Sequence, residues 1–271
     1  MLPNFLIIGA AKSGTTSLYH YLRQHPGVYM SPLKEPQYFC GEGERAVPTR
    51  DAYQRLFDGV TIQKAIGEAS PQYLNSPSAP GRIADDLPDV KLIVSLRNPA
   101  DRAYSYYLGR IRGGHERASV IDAMQPGAFY FQTSLYHPGL SRYFDRFDKS
   151  RIKVILFDDL SADAGAVVRD LYRFLGVDDS FATDVSVRHN VGTVPRSIGL
   201  NRTLLAARRV VRTLVPRTFA GTGLAARAQQ PLLRPAEPLP SSLRRQLLDR
   251  FSDDVARTSA LIGRDLSHWL A

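Results

Sequence analysis

The chain has 271 residues, 44% of them hydrophobic and 23% charged, which is enough to bury a proper core and fits one large domain. Lys and Arg total 35 against 26 Asp and Glu, a formal charge of +9 that suits an anionic ligand or surface, nucleic acid included. One cysteine, Cys40, excludes an internal disulfide framework and a cysteine zinc site; the six histidines (His20, His25, His115, His137, His189, His268) show no H-E-x-x-H or comparable spacing, so no metal is expected. No secretory signal is visible and no apolar run approaches ~18–20 residues, so a cytoplasmic enzyme is the expectation.

Phe5 to Leu18 reads as a buried strand that breaks at Gly9 and enters a helix, with Lys12, Ser13, Thr15 and Thr16 at the junction. The first turn of a helix leaves backbone N–H groups unpaired and carries the positive end of the macrodipole, so a phosphate or sulfate there is stabilised. Lys12 would add a full charge, and Gly14 lets the backbone approach closely. The order Gly9-x-x-Lys12-Ser13-Gly14-Thr15-Thr16 is not a Walker A loop, in which lysine follows the second glycine and a hydroxyl beside it serves Mg²⁺. The plain alternative is a strand-to-helix connection with Ser13 or Thr15 as N-cap and Lys12 in solvent.

Thr15 to His25 has the pattern of a short amphipathic helix ended by Pro26-Gly27. In the following segment Pro32 and Pro36 flank Lys34-Glu35 and place that pair on a loop, where the local reading of Glu35 is a solvated carboxylate paired to Lys34. Ala65 to Pro71 looks like a short strand ending in a polar turn, and a helix follows over Pro80 to Leu87. Val90 to Pro99 is the clearest strand, apolar on both faces as in a central parallel strand. It ends at Arg97, at the edge where ligands bind in open α/β sheets. Asp101 to Arg112 reads as a helix carrying Ser105 about two turns from Arg97. A helix over Ser134 to Phe147, a strand over Arg151 to Phe157 and a helix from Ala164 to Leu175 closing at Gly176 complete the alternation. The pattern predicts an α/β fold, a mostly parallel sheet with helices on both faces, and leaves strand order open.

Beyond Gly176 the chemistry changes: residues 201–240 hold seven arginines and five prolines against one acid, Glu237. Leu200, Leu204, Val211 and Val215 form a stripe beside Arg208, Arg209 and Arg212, a basic amphipathic helix that would lie on a membrane surface, cover a cleft or pack on its own core. Pro238 to Ile262 resumes a helix, ended by Gly263.

Four segments, Phe5 to Leu18, Lys34 to Phe39, Leu92 to Ser105 and Gly263 to Trp269, together resemble the sulfotransferases that use 3′-phosphoadenosine-5′-phosphosulfate (PAPS), in particular the heparan sulfate sulfotransferase branch and its bacterial relatives. The resemblance implies a P-loop-like sulfotransferase fold, PAPS as co-substrate with 3′-phosphoadenosine-5′-phosphate (PAP) as product, and a carbohydrate, glycolipid or small-metabolite acceptor. It implies that Lys12, Ser13, Gly14, Thr15, Thr16 and Ser17 hold the 5′-phosphosulfate, that Arg97 and Ser105 bind the 3′-phosphate, and that Glu35 of the E-x-x-[FY]-F loop is the general base while Lys12 stabilises the leaving group. Gly192 and Arg196 are candidates for the late loop that closes over the nucleotide. One departure stands out: the family's E-K-[ST]-P segment has alanine for lysine here, at Glu68-Ala69-Ser70-Pro71. Branches of the family with a histidine base keep His115 and His137 as alternatives to Glu35. The competing readings are a nucleotide kinase, which needs ATP and Mg²⁺, and a basic nucleic-acid-binding protein using residues 201–240, whose affinity would fall steeply with salt.

Overall fold

The computed structural model describes residues 1–41, 46–187, 193–195 and 233–271. Gly192, Arg196 and the stretch 196–232, which takes in the proposed basic helix and most of the arginine-rich segment, lie outside the described residues.

In chain order the described strands and helices are β1 (Phe5–Gly9), α1 (Thr15–Leu22), β2 (Val28–Met30), α2 (Arg50–Gln54), β3 (Ala65–Ala69), α3 (Ala79–Asp86), β4 (Lys91–Leu96), α4 (Pro99–Arg112), α5 (Val120–Ala123), α6 (Phe129–Gln132), α7 (His137–Phe144), β5 (Ile152–Leu156), α8 (Phe157–Ala162), α9 (Ala164–Leu175), β6 (Thr193–Pro195), β7 (Leu233–Pro235) and α10 (Ser241–Ile262). Five strands form one parallel sheet in the order β2-β3-β1-β4-β5. β1 is central, with Phe5 opposite Gly67 of β3 and Lys91 of β4.

Side-chain alternation along β1 builds the two layers. Leu6 and Ile8 enter a core completed by α3, α4, α7 and α10, whereas Phe5 and Ile7 enter a second core completed by α1 and α9. β4 repeats the pattern: Leu92, Val94 and Leu96 join the first core and Ile93 the second. All five residues of β1 are buried, as a strand covered on both faces requires. The β1 end and the start of α1 therefore emerge at the carboxyl edge of the sheet, between β3 and β4.

Three side chains near the end of the chain, Asp254, Arg264 and Trp269, fix the helices around that edge. Asp254 of α10, only 7% exposed, accepts hydrogen bonds from the backbone N–H groups of Tyr136 (2.7 Å) and His137 (3.1 Å) and so supplies from a distance the anion that the first turn of α7 lacks locally. Burial raises the Asp254 carboxyl pKa, against the pull of these two N–H bonds. This cap explains why the helix starts at His137 rather than at Ser134. Asn98 caps α4 through Oδ1 to Ala100 N and Asp101 N, and its Nδ2 donates to the Trp269 carbonyl at 2.7 Å. Trp269 in turn donates from Nε1 to Asp158 of α8 at 2.7 Å, and Arg264 pairs with Asp159 at 2.7 Å.

β2 is an edge strand that the sequence pattern does not mark. Its three residues, Val28, Tyr29 and Met30, are too few for a period-2 pattern to stand out. β6 and β7 pair antiparallel against α4, so the stretch 196–232 is flanked by two paired strands.

Candidate active site

The turn after β1 is held by its carbonyls. Arg102 donates from Nε to Ala11 O at 3.0 Å, Arg97 from Nη1 to Lys12 O at 3.5 Å, and the Ser95 hydroxyl donates to Ser13 O. Three consecutive carbonyls are thus occupied by groups from β4 and α4, while the first N–H groups of α1 have no intrahelical acceptor. Gly14 is the N-cap of α1 with φ of 88°, a left-handed conformation, and it makes no side-chain capping bond. A Cβ at Gly14 would come 2.6 Å from Leu160, so both backbone and space demand glycine. Neither Ser13 nor Thr15 acts as the cap, and the plain reading of the turn fails on that point: no side chain of the cap residue covers the N-terminus of α1.

Lys12 is not in solvent. Its backbone takes φ of 73°, and its ammonium lies 5.9 Å from the Tyr106 ring centroid on α4. A Cβ on Gly109 would approach Lys12 Nζ to 2.6 Å, so the absence of a side chain at Gly109 makes the groove in which the lysine runs. Burial, with Arg112 next in importance, lowers the Lys12 pKa, and the field of Glu35 opposes the shift. The site is a cation kept short of an anion.

Glu35 faces it from the loop after β2. Its N–H donates to Ala69 O at 3.1 Å, its φ is 61°, and its carboxylate takes Lys34 Nζ at 2.6 Å and Gln72 Nε2 at 3.3 Å. The Lys34 partnership predicted locally is present, but Glu35 also has a second partner in the turn after β3, which points the loop inward. Behind it Ser70 Oγ accepts from Gln37 N at 3.0 Å and donates to Glu68 Oε2 at 2.8 Å; Glu68 also accepts from Tyr53 OH at 3.3 Å. Glu68 is fully buried, and burial pushes its pKa up to about 7 despite the hydrogen bonds it receives.

Among the residues singled out in the sequence, Lys12, Ser13, Gly14, Thr15, Thr16 and Ser17 lie on one turn at the sheet edge. Arg97 meets that turn through Lys12 O, with its guanidinium 4.7 Å from the Phe157 ring centroid, and Ser105 stands on the second turn of α4. His115 is exposed beside Arg110, and the His137 ring lies against Ser141 of its own helix. Sequence reasoning missed Arg102, Gln72 and Gly109. Asp101-Arg102 looks like a surface charge pair, but Gly109 had a usable signal, since a glycine inside a helix marks a close approach.

A parallel α/β sheet with a glycine-capped helix N-terminus and a half-buried lysine at its carboxyl edge defines a P-loop-like fold. The chain belongs to the PAPS-dependent sulfotransferase family: the family described as "Sulfotransferase domain" matches residues 2–191. It is similar, at 33% identity and a TM-score of 0.78 over 100% of both chains, to a crystal structure of a sulfotransferase from Alicyclobacillus acidocaldarius. It is 30% identical over 202 residues to bifunctional heparan sulfate N-deacetylase/N-sulfotransferase 4 of Mus musculus, and 39% identical over 106 residues to the membrane-associated sulfotransferase kil1 of Dictyostelium discoideum. Those matches cover 65% and 39% of this chain and 22% of each relative, so the chain spans about a fifth of the length of these curated relatives. Among the described residues no helix is long and apolar enough to cross a membrane.

Proposed function

We propose that this sulfotransferase moves the sulfuryl group of PAPS to a hydroxyl of a carbohydrate, glycolipid or other small acceptor, with the chain acting as one sulfotransferase domain. The observation that carries the reading is Lys12, half-buried on the turn before α1, with the Glu35 carboxylate near enough for its charge to act on the lysine. The acceptor oxygen forms the new bond to sulfur while the bond from sulfur to the 5′-phosphate oxygen breaks. Glu35 takes the acceptor's proton, and the phosphate keeps the electron pair, its charge met by Lys12 and the N–H groups of Gly14 to Thr16. Positioning and charge stabilisation do the work, as in phosphoryl transfer. Arg97 and Ser105 hold the 3′-phosphate.

Calorimetry with PAP in the absence of metal tests the donor site: we expect binding, lost on Lys12→Ala or Arg97→Ala. Absence of binding without metal would sink the reading in favour of the kinase. With PAPS and an acceptor extract, Glu35→Gln is expected to abolish sulfate transfer while leaving PAP affinity within about two-fold; surviving transfer would move the base to a histidine.

A further inference from the structure

The loop that carries Glu35 is held in a shape that its own residues do not favour. Glu35 and Gln37 both take left-handed backbone angles, with φ of 61° and 53°, and neither is glycine. Such conformations persist only where the surroundings over-determine them, and they gather at functional sites. Here the surroundings are the end of β3 and the short turn Pro71–Asn75 that follows it.

Every second N–H of the loop is received there. Glu35 N donates to Ala69 O at 3.1 Å, Gln37 N to Ser70 Oγ at 3.0 Å and Phe39 N to Tyr73 OH at 3.4 Å. Two of the three acceptors are side-chain hydroxyls, and a hydroxyl receives an N–H well only if its own proton points elsewhere. For Ser70 that proton goes to Glu68 Oε2 at 2.8 Å, and both residues are fully buried. The same turn sends Gln72 Nε2 to the Glu35 carboxylate at 3.3 Å, so it grips the loop by its backbone and by its side chain.

Glu68 is faced by Tyr53 of α2, by Ser70 and Tyr73 of the turn, by Glu35 and Cys40 of the loop and by Tyr143 of α7. Burial raises its pKa to about 7; the hydroxyls of Tyr73, Ser70 and Tyr53 oppose the rise and the charge of Glu35 adds to it. An apolar residue of similar size would avoid the cost of burying that charge, so the carboxylate is poorly explained by stability.

We propose that Ser70 is a positioning residue for the Glu35 base and that the Glu68 carboxylate sets the direction of its hydroxyl. Glu68 holds the Ser70 proton, a Ser70 lone pair holds the Gln37 N–H, and the left-handed loop so fixed keeps Glu35 near Lys12. This rests on the reading of Glu35 as the base, which it deepens by naming what holds that base in place.

The test uses the full chain at pH 8, where Glu68 is mostly ionised. PAP affinity is measured by calorimetry, and turnover by transfer of labelled sulfate from PAPS into an acceptor extract. Ser70→Ala should lower turnover roughly 10²-fold, the order for a reacting group displaced by about 1 Å, with PAP affinity and the KM for PAPS held within about two-fold. Ser70→Thr keeps the hydroxyl and should recover most of the turnover. Glu68→Leu should lower turnover as Ser70→Ala does, and the double variant should be no worse than either alone, because the two side chains act as one unit. Hydrogen exchange reads the loop without any acceptor: in Ser70→Ala the Gln37 N–H should exchange on the order of ten-fold faster while the amides of β1 are unchanged.

Turnover of Ser70→Ala within about two-fold of the wild type, no recovery in Ser70→Thr, unchanged exchange at Gln37, or losses that multiply in the double variant overturns the proposal. So does loss of PAP binding in Ser70→Ala or Glu68→Leu, which would assign these side chains to the fold. If the wild type fails to bind PAP, or Glu35→Gln keeps its transfer, the mechanism proposed above falls first. A wild type that behaves as expected beside a silent Ser70→Ala strikes this proposal alone.

Discussion

Lys12 owes its position to a residue it never bonds. The groove on α4 exists because Gly109 has no side chain, and a methyl group there would stand 2.6 Å from Nζ. Since the obstructed atom is the tip of a flexible chain, Gly109→Ala should fold, and its melting temperature should be unchanged or slightly raised because alanine favours the helix by about 1 kcal/mol. Turnover should nevertheless fall roughly 10²-fold, the order expected when a reacting group is displaced by about 1 Å. A thermal melt and a steady-state assay on one preparation check the split. Glu68 supports a prediction of a different kind. Its folded pKa of about 7 lies above the ordinary 4.5, so the native state keeps a proton that the unfolded chain has already lost. The stabilisation is complete below pH 4.5 and is lost as pH rises through about 7, to an extent of about 3 kcal/mol. Glu68→Gln removes the titration, so urea unfolding at pH 5 and pH 8 should show the variant gaining on the wild type at the higher pH. An unchanged gap between the two pH values contradicts the assignment.

At the scale of elements, the β4–α4 junction ties the end of the chain to the carboxyl edge of the sheet. Asn98 follows Arg97 directly and makes two kinds of bond at once, capping α4 and holding the Trp269 carbonyl. Asn98→Ala loses the cap and leaves a buried carbonyl unsatisfied, for a combined cost of about 2–4 kcal/mol. The same change frees Arg97 to shift, so PAP affinity should drop together with stability. Chemical denaturation and calorimetry on the variant measure the two; a stability loss with full PAP affinity would show that Asn98 serves the fold alone.

For the whole molecule, the legible parts are those with a local cause. β1 and β4 are five and six residues long, mostly apolar and buried on both faces, and α9 ends at Gly176 in a left-handed C-cap, so each announces itself in the sequence. The lysine, glycine and hydroxyl residues of the first turn are contiguous, so the turn between β1 and α1 is legible from the sequence alone. What could not be read has a tertiary cause. The start of α7 is set by Asp254 more than a hundred residues away, β2 exists because β3 offers it an edge, and Arg102 becomes a buried group only once α4 packs beneath the turn.

The left-handed glycine start of α1 has a consequence for competition. A serine or aspartate in the capping place would put its own oxygen on the N–H groups that face an incoming anion, and it would be present in every molecule at an effective concentration on the order of millimolar or above. Each protein would then carry a tethered inhibitor, and a nucleotide would have to displace it before binding. With Gly14 in that place, α1's own cap puts no side-chain oxygen on those groups, and an anion bound there would face no competition from it.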